Sequence, residues 1–286
     1  MKQSKHALLG VALVAVCAAV SAQTSGTLKK IADAKAVVLG YRTEAAPFSF
    51  TGSDGQPAGY SVDLCKRVVT SLERQLKIAP LAVRWVPVTA ENRIGQVTSG
   101  AVDLECGITT VTLGRQEQVD FSNLIFVDGG SWVSRVDGPR KLTDLANTTV
   151  GVLRGTTTEP RLREALQARG VTNVTILTLR DEAEGVTALV DRRITAFAND
   201  RITLVGRVLK AQPQGVAFAL GEEDFSFEPY ALMLRRDPGF RLAVNRALAE
   251  IYRGDAVADV YGRWFGVIGP PSPLLLSVYY LNAFSE

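Results

Sequence analysis

The fold class this sequence predicts is α/β, in two lobes that are each a mainly parallel sheet flanked by helices, and three observations carry that prediction. Strand-like and helix-like patterns alternate as β-α-β-α-β between Ala36 and Cys106, an order that implies parallel strands. The same alternation restarts after Pro139. The chain has 286 residues with 47% hydrophobic content, enough to bury a large core, and chains of this length commonly divide into two units.

The run AVVLGYR, Ala36 to Arg42, reads as a buried strand, and TGSDGQPAG after it as a turn. In SVDLCKRVVTSLERQL, Val62, Cys65, Val69, Leu72 and Leu76 recur at three- and four-residue spacing, so the segment is a helix with one face toward a core. Val83 to Val88 is a second strand, a short helix starts at Asn92, and Val102 to Cys106 is a third strand. Beyond Pro139, TTVGVL is a strand, TEPRLREALQARG is a helix with Pro160 in its first turn and Gly170 at its end, and NVTILTL is a strand. Helix AEGVTALVDRR, strand ITAFAND, helix RITLVGRVLK and strand GVAFAL continue the second unit. EPYALMLRR reads as a strand leaving it, followed by the amphipathic helix PGFRLAVNRALAEIYRG and the shorter AVADVYGRWFG. Ligands of open α/β sheets bind beyond the carboxyl ends of strands, so two facing lobes put the site in the cleft between them.

The first residues address the compartment. Lys2 and Lys5 form a positive start, Leu8 to Val20 is an apolar stretch, and Val20-Ser21-Ala22 offers small residues for cleavage, so residues 1–22 read as a secretory signal and the mature chain begins near Gln23. A membrane anchor is the alternative, but the run is shorter than the roughly 20 apolar residues a spanning helix needs. Lipid attachment at Cys17 is disfavoured because Val16 precedes it where a Gly or Ala is wanted. The tail Leu274 to Phe284 is too short to span and carries Ser277 and Asn282. The net charge of +3 falls by the two leader lysines to +1, which suggests no nucleic acid. The single histidine, His6, leaves with the leader, and with it go Ser-His-Asp and Cys-His catalysis and histidine-ligated zinc. Cys65 and Cys106 then remain as an even pair in an oxidising compartment, which predicts a disulfide; two buried free thiols are the alternative.

Seven segments occur in order over nearly the whole mature chain: GYRTEAAPFSF, GYSVDLCKRV, VTAENRI, VDLECGITTVTLGRQEQVDFSNLIFVDG, VGVLRGTTTE, ITAFANDR and EIYRGDAVADVYGRWFG. In order and spacing they resemble the solute-binding proteins of polar amino-acid ABC transporters (bacterial solute-binding protein family 3), most closely the glutamate/aspartate-binding branch. The resemblance implies the type II periplasmic-binding-protein fold, with two hinge strands near 127–136 and 225–232. Lobe 1 is then 23–131 and 229–286, and lobe 2 is 132–228. It also implies a monomeric periplasmic receptor, not an enzyme, that needs no cofactor or metal. Its partners are a small amino acid and an ABC transporter permease in the inner membrane.

Residue by residue, Arg115 matches the arginine that grips the ligand α-carboxylate. A guanidinium fork meets a carboxylate with two parallel hydrogen bonds. The plainer reading is a surface arginine paired with Glu117 or Asp120. Gly155-Thr156-Thr157 lies between a strand and a helix start, where backbone N–H groups and the helix dipole favour the same anion. Ordinary capping by threonine is the plainer reading there. Thr110 matches a position that bonds both ligand poles, Asp200 the aspartate that pairs with the ligand ammonium, and Ile108 offers its carbonyl. For Asp200 the plainer reading is a helix cap before Arg201. Arg42 and Arg93 match arginines that hold an acidic side chain, with surface ion pairing as their plainer reading. Phe48 packs over the ligand or in the core. Three departures bear on specificity: Glu182 stands where the branch has histidine, Ala90 where it has a hydroxyl, and Ile108 where it has serine. Glu182 neutralising one arginine would favour glutamine, asparagine or another polar ligand over glutamate or aspartate. Two further classes stay open. One is a periplasmic dehydratase acting on prephenate-like substrates, with Glu182 moving protons. The other is a sensor module, which the chain's end at Glu286 without a span argues against.

Overall fold

The alternation read from the sequence is present in the computed structural model, which describes residues 26–211 and 215–285. The leader, with Lys2, Lys5, His6, Cys17 and the cleavage site before Gln23, lies outside the described residues. Helix α1 (Gly26–Ala34) precedes strand β1 (Ala36–Arg42) and a small antiparallel sheet of β2 (Glu44–Ala45), β3 (Ser49–Thr51) and β4 (Pro57–Ala58). Helix α2 (Tyr60–Leu76) buries Val62, Cys65, Val69 and Leu72, the stripe its spacing predicts. Gly59 before it has φ 126°, and a Cβ there would stand 2.2 Å from the Phe48 carbonyl oxygen, so this entry to the helix requires glycine. Strand β5 (Ala82–Val88), helix α3 (Arg93–Thr98), strand β6 (Leu104–Thr110), the short helix α4 (Leu113–Gln116) and the long strand β7 (Asp120–Arg135) follow.

The second run consists of β8 (Thr149–Leu153), α5 (Thr158–Ala168), β9 (Thr175–Leu179), α6 (Glu182–Val190), β10 (Ala196–Asp200) and α7 (Arg201–Ala211). Strands β11 (Phe218–Leu220) and β12 (Ser226–Leu234) lead to α8 (Pro238–Arg253), α9 (Ala256–Phe265) and α10 (Pro273–Leu281), the last formed by the apolar tail. Among the described residues no helix is long and apolar enough to cross a membrane.

One sheet runs through the molecule in the order β5-β1-β6-β12-β7-β10-β8-β9, with β11 added on β7. It holds two parallel triplets, β5-β1-β6 and β10-β8-β9, each the product of helical crossovers. Two antiparallel strands join them: β7 pairs with β12 along 120–130 and with β10 along 130–134. The apolar packing separates at the same place. Two clusters draw on residues from Ile31 to Phe126 and from Tyr230 to Tyr279, and two others on residues from Trp132 to Leu204. The third strand extends to Thr110 rather than ending at Cys106, because Thr109 and Thr110 pair with Ala231 and Tyr230 of β12.

Cys65 of α2 and Cys106 of β6 form the predicted disulfide, with Cα atoms 6.2 Å apart, so the free-thiol alternative does not hold. Both are fully buried and tie the helix to the central strand beneath it. Replacing both with Ser should lower unfolding stability by roughly 2–4 kcal/mol, because the open chain regains the entropy of a long loop. Denaturant melts of the oxidised protein and the double variant check this; equal midpoints would contradict it.

Candidate functional site

Arg42 ends β1, Thr110 ends β6, Asp200 ends β10, and Gly155-Thr156-Thr157 follows the end of β8. Arg93 opens α3 just after β5, and Glu182 opens α6 just after β9. The candidate residues therefore gather at the carboxyl ends of parallel strands or in the first turn of the next helix, where a doubly wound sheet leaves its crevice. A narrow crevice between the two triplets, with a free volume of about 10 Å³, is lined by Arg42, Arg93, Ile108, Thr110, Leu153, Thr156, Thr157, Glu182, Asn199 and Asp200. Eight of the nine predicted residues line it. Arg115 stands just behind, its Nη1 donating to the Thr110 carbonyl at 2.7 Å and its Nη2 to the Gly155 carbonyl at 3.3 Å.

The two halves meet across this pocket. Arg93 Nη2 donates to the Gly155 carbonyl at 3.5 Å, so two guanidinium groups from one half share an acceptor on the other. The hydroxyls of Thr110 and Thr157, one from each side, both donate to Glu228 Oε2 of β12 at 2.7 and 2.8 Å. Ser226 supplies a third hydroxyl, to Glu228 Oε1 at 2.6 Å. Thr156 turns its hydroxyl back to the Leu153 carbonyl at 2.8 Å. Asp200 accepts from the Tyr230 hydroxyl at 2.5 Å. Within the rim, the backbone of Gly155 lies against that of Ala90 and Glu91.

Burial sets the electrostatics. Arg93 is pulled down to about 9, first by desolvation and then by the charge of Arg115, with Arg42 adding and Glu105 and Asp200 offsetting. Its Nε finds no hydrogen-bond partner. Arg115 is also lowered by desolvation, which Glu228, Glu105 and Asp200 partly offset. Asp200 is pushed up to about 7 by desolvation and then by Glu228; the Tyr230 hydrogen bond and Arg93 pull it back, and Glu182 raises it further.

Several plainer readings are corrected here. Arg115 is buried and bonded to carbonyls instead of pairing at the surface with Glu117 or Asp120. Arg42 and Arg93 are buried at the pocket rather than in surface pairs. Thr157 precedes α5 without a side-chain capping bond, its hydroxyl being committed to Glu228. For Phe48 the plainer reading holds instead: it is buried in the core, edge-on to Tyr60, Phe126 and Tyr230, and not over the pocket.

Four polar residues of the site escaped the sequence reading: Glu228, Glu105, Asn199 and Tyr230. Glu105 is fully buried, with Oε2 accepting from Thr109 at 2.8 Å and Oε1 unpartnered. Asn199 lines the pocket, and its Nδ2 makes no hydrogen bond. The available signal was an acid or amide inside an otherwise apolar strand, as in VDLECG, AFAND and FEPYALML, since a polar group buried in a sheet needs a specific partner. Among the described residues no group of three His, Cys, Asp or Glu side chains could hold a metal ion.

Three comparisons bear on this arrangement. The profile of the bacterial extracellular solute-binding proteins, family 3, matches residues 37–267. The chain is 36% identical to an L-glutamate/L-aspartate-binding protein of Pseudomonas aeruginosa, covering 94% of this chain and 91% of that one. It is 31% identical to a glutamate/aspartate import solute-binding protein of Escherichia coli K12, covering 96% and 92%. Among solved structures, an ancestral amino acid-binding protein that is a precursor of cyclohexadienyl dehydratase superposes with a TM-score of 0.70 at 26% identity, covering 84% of this chain and all of the other.

Gly155 controls how closely the halves approach. It has φ +76°, and a Cβ on it would lie 2.7 Å from the Ala90 carbonyl oxygen and 2.8 Å from Glu91 Cα, both backbone atoms that cannot swing aside. Gly155→Ala should hold the cleft open and enlarge the radius of gyration in small-angle scattering. Gly170→Ala carries similar backbone strain at φ +66°, of about 1–3 kcal/mol, with nothing within 4 Å, and should leave the dimensions unchanged. Equal dimensions for the two variants would contradict this role.

Proposed function

Because the chain belongs to family 3 of the bacterial extracellular solute-binding proteins, we propose that it is the periplasmic receptor of an amino-acid ABC importer, closing two lobes on an acidic amino acid. In this reading residues 23–131 and 229–286 form one lobe and 132–228 the other, and the monomer delivers its ligand to an inner-membrane permease. Arg115, Thr110 and the Thr156-Thr157 backbone take the α-carboxylate. Asp200 and the Ile108 carbonyl take the ammonium, and Arg42 and Arg93 take the side-chain carboxylate. The names of both relatives, each a binder of glutamate and aspartate, support the ligand class.

The observation that carries the acidic assignment is Arg93. It is buried, it lacks a partner at Nε, and burial and neighbouring arginines lower its pKa to about 9. A buried guanidinium with an unpartnered Nε gains more from an anionic side chain than from a neutral amide. Glu182 works the other way. It is buried at the pocket wall, so it repels a second carboxylate and favours glutamine or asparagine. A second reading, dehydration of a prephenate- or arogenate-like substrate, draws on the likeness to the dehydratase precursor. Asp200, poised near 7 beside Glu182, has the acidity such chemistry uses. Product formation from those substrates separates it from binding alone.

Replacing Arg115 with Ala should abolish binding of every amino acid. Arg93→Ala should weaken L-glutamate roughly 100-fold, the loss of about 3 kcal/mol for a buried charge-assisted contact, while sparing L-glutamine. Glu182→Gln should tighten the acids by removing a like charge. Calorimetric titration of each variant with both ligands is the check. A wild type that prefers the amide, with Arg93→Ala weakening acid and amide equally, would overturn the acidic assignment.

A further inference from the structure

Glu105 lies near the start of β6 and is fully buried. Side chains alternate along a strand, and the disulfide turns Cys106 toward α2, so Glu105 faces the other side of the sheet together with Gly107 and Thr109. That side is covered by α3, whose Val97 packs in one cluster with Val88, Val102 and Met233. An acid in apolar surroundings needs partners, yet only one of its oxygens has a hydrogen bond. Oε2 accepts from the Thr109 hydroxyl at 2.8 Å, and Oε1 accepts from nothing.

Gly107 shows where the carboxylate points. A Cβ on it would fall on Glu105 Oε1, 3.0 Å from Glu105 Cδ and 3.3 Å from Arg42 Cγ. The acid therefore lies along its own strand toward the carboxyl end, where the cleft is, with the Arg42 side chain beside the same space. Strand pairing puts Arg42 there: Gly40 of β1 stands opposite Glu105, so Arg42, two residues on, comes level with Gly107. Gly107 has a strand backbone without positive φ, so what its missing side chain provides is room for this carboxylate.

Glu105 acts on the two buried guanidinium groups of the cleft, Arg93 and Arg115, as a negative charge that offsets part of the cost of their burial. It does so without taking up their hydrogen bonds. Arg115 donates to the Thr110 and Gly155 carbonyls, Arg93 donates from Nη2 to Gly155, and Arg93 Nε donates to nothing. A counter-charge held at this remove leaves Arg93 Nε available to a ligand while reducing the positive field that the ligand meets.

We propose that Glu105 is a positioning residue for specificity: acting through Arg93 and Arg115, it sets how strongly the cleft distinguishes an acidic amino acid from its amide. The inference rests on the reading that these arginines receive the ligand's carboxylates. An acidic side chain brings its own counter-charge and shares the arginines with Glu105. An amide brings none, so its capture depends on Glu105 to compensate the arginines as they are buried. The α-carboxylate is common to both ligands and cancels in the ratio of their affinities.

The test is calorimetric titration of L-glutamate and L-glutamine against the wild type, Glu105→Gln and Gly107→Ala. Glu105→Gln keeps the shape and an acceptor for Thr109 but removes the charge. The ratio of the glutamine to the glutamate dissociation constant should rise ~10-fold. Gly107→Ala keeps the acid but displaces its carboxylate, the mobile end of a flexible side chain, while Arg42 Cγ need give only slightly. It should raise the ratio in the same direction by a smaller factor, and it reaches the same charge by another route if Glu105→Gln does not fold. A carboxylate that serves the fold alone would, once removed, weaken both ligands equally or neither. A ratio that stays at the wild-type value or falls in the variants that fold overturns this inference and leaves the receptor reading standing. Arg93→Ala weakening both ligands equally overturns it together with the acidic assignment, and a wild type that binds neither ligand overturns it together with the receptor reading.

Discussion

Two buried guanidinium groups, those of Arg93 and Arg115, donate to one carbonyl oxygen, that of Gly155 on the opposite side of the cleft. Like charges this close, with little water to screen them, repel: the charge of Arg115 is the largest influence on Arg93 after burial itself. The arrangement persists because Glu105, Glu228 and Asp200 stand within electrostatic reach. Two of those acids, Glu105 and Glu228, belong to the central strands, while Asp200 belongs to the other triplet with Gly155. The apposition of the halves therefore adds one acid, Asp200, to the two that stand on the arginines' own triplet and on the joining strand.

The strands that join the triplets do more than connect them. β12 carries Glu228, which takes a threonine hydroxyl from each side, and Tyr230, whose ring sits in one core and whose hydroxyl meets Asp200 of the other half. β7 carries Asp128 on its path between the two. Polar groups that depend on both halves thus stand on the elements about which the halves would move. That is the arrangement expected where ligand contacts and closure share one free-energy balance.

Much of the fold was legible because its elements have strong periods. The stripe on α2 and the alternation around β8 and β10 need only local sequence to be read. The reach of β6 to Thr110 was not legible, since pairing with β12, more than a hundred residues away, extends it. At the site, the arginines, Thr110, Thr157 and Asp200 could be named because they stand in motifs with fixed spacing. Glu228 lacks that advantage, and Asp128, although inside the segment ending FVDG, has no role that the resemblance assigns. Each sits within a strand-forming stretch, and its importance comes from partners brought by tertiary structure: Thr110 and Thr157 for one, Tyr230 for the other. Arg115 stands just behind the pocket lining, and its bonds to two carbonyl groups depend on how β6 and the Gly155 turn approach, which no local pattern encodes.

The central claim is that charge compensation of the arginine cluster by a ligand's carboxylates drives capture. Its most direct test is a calorimetric titration of the refolded, ligand-stripped protein against the common amino acids. The account predicts micromolar binding, about −8 kcal/mol, for glutamate or aspartate, and weaker binding for the other amino acids, their amides included. Preferential binding of a cationic amino acid, or no binding by any of them, would contradict it.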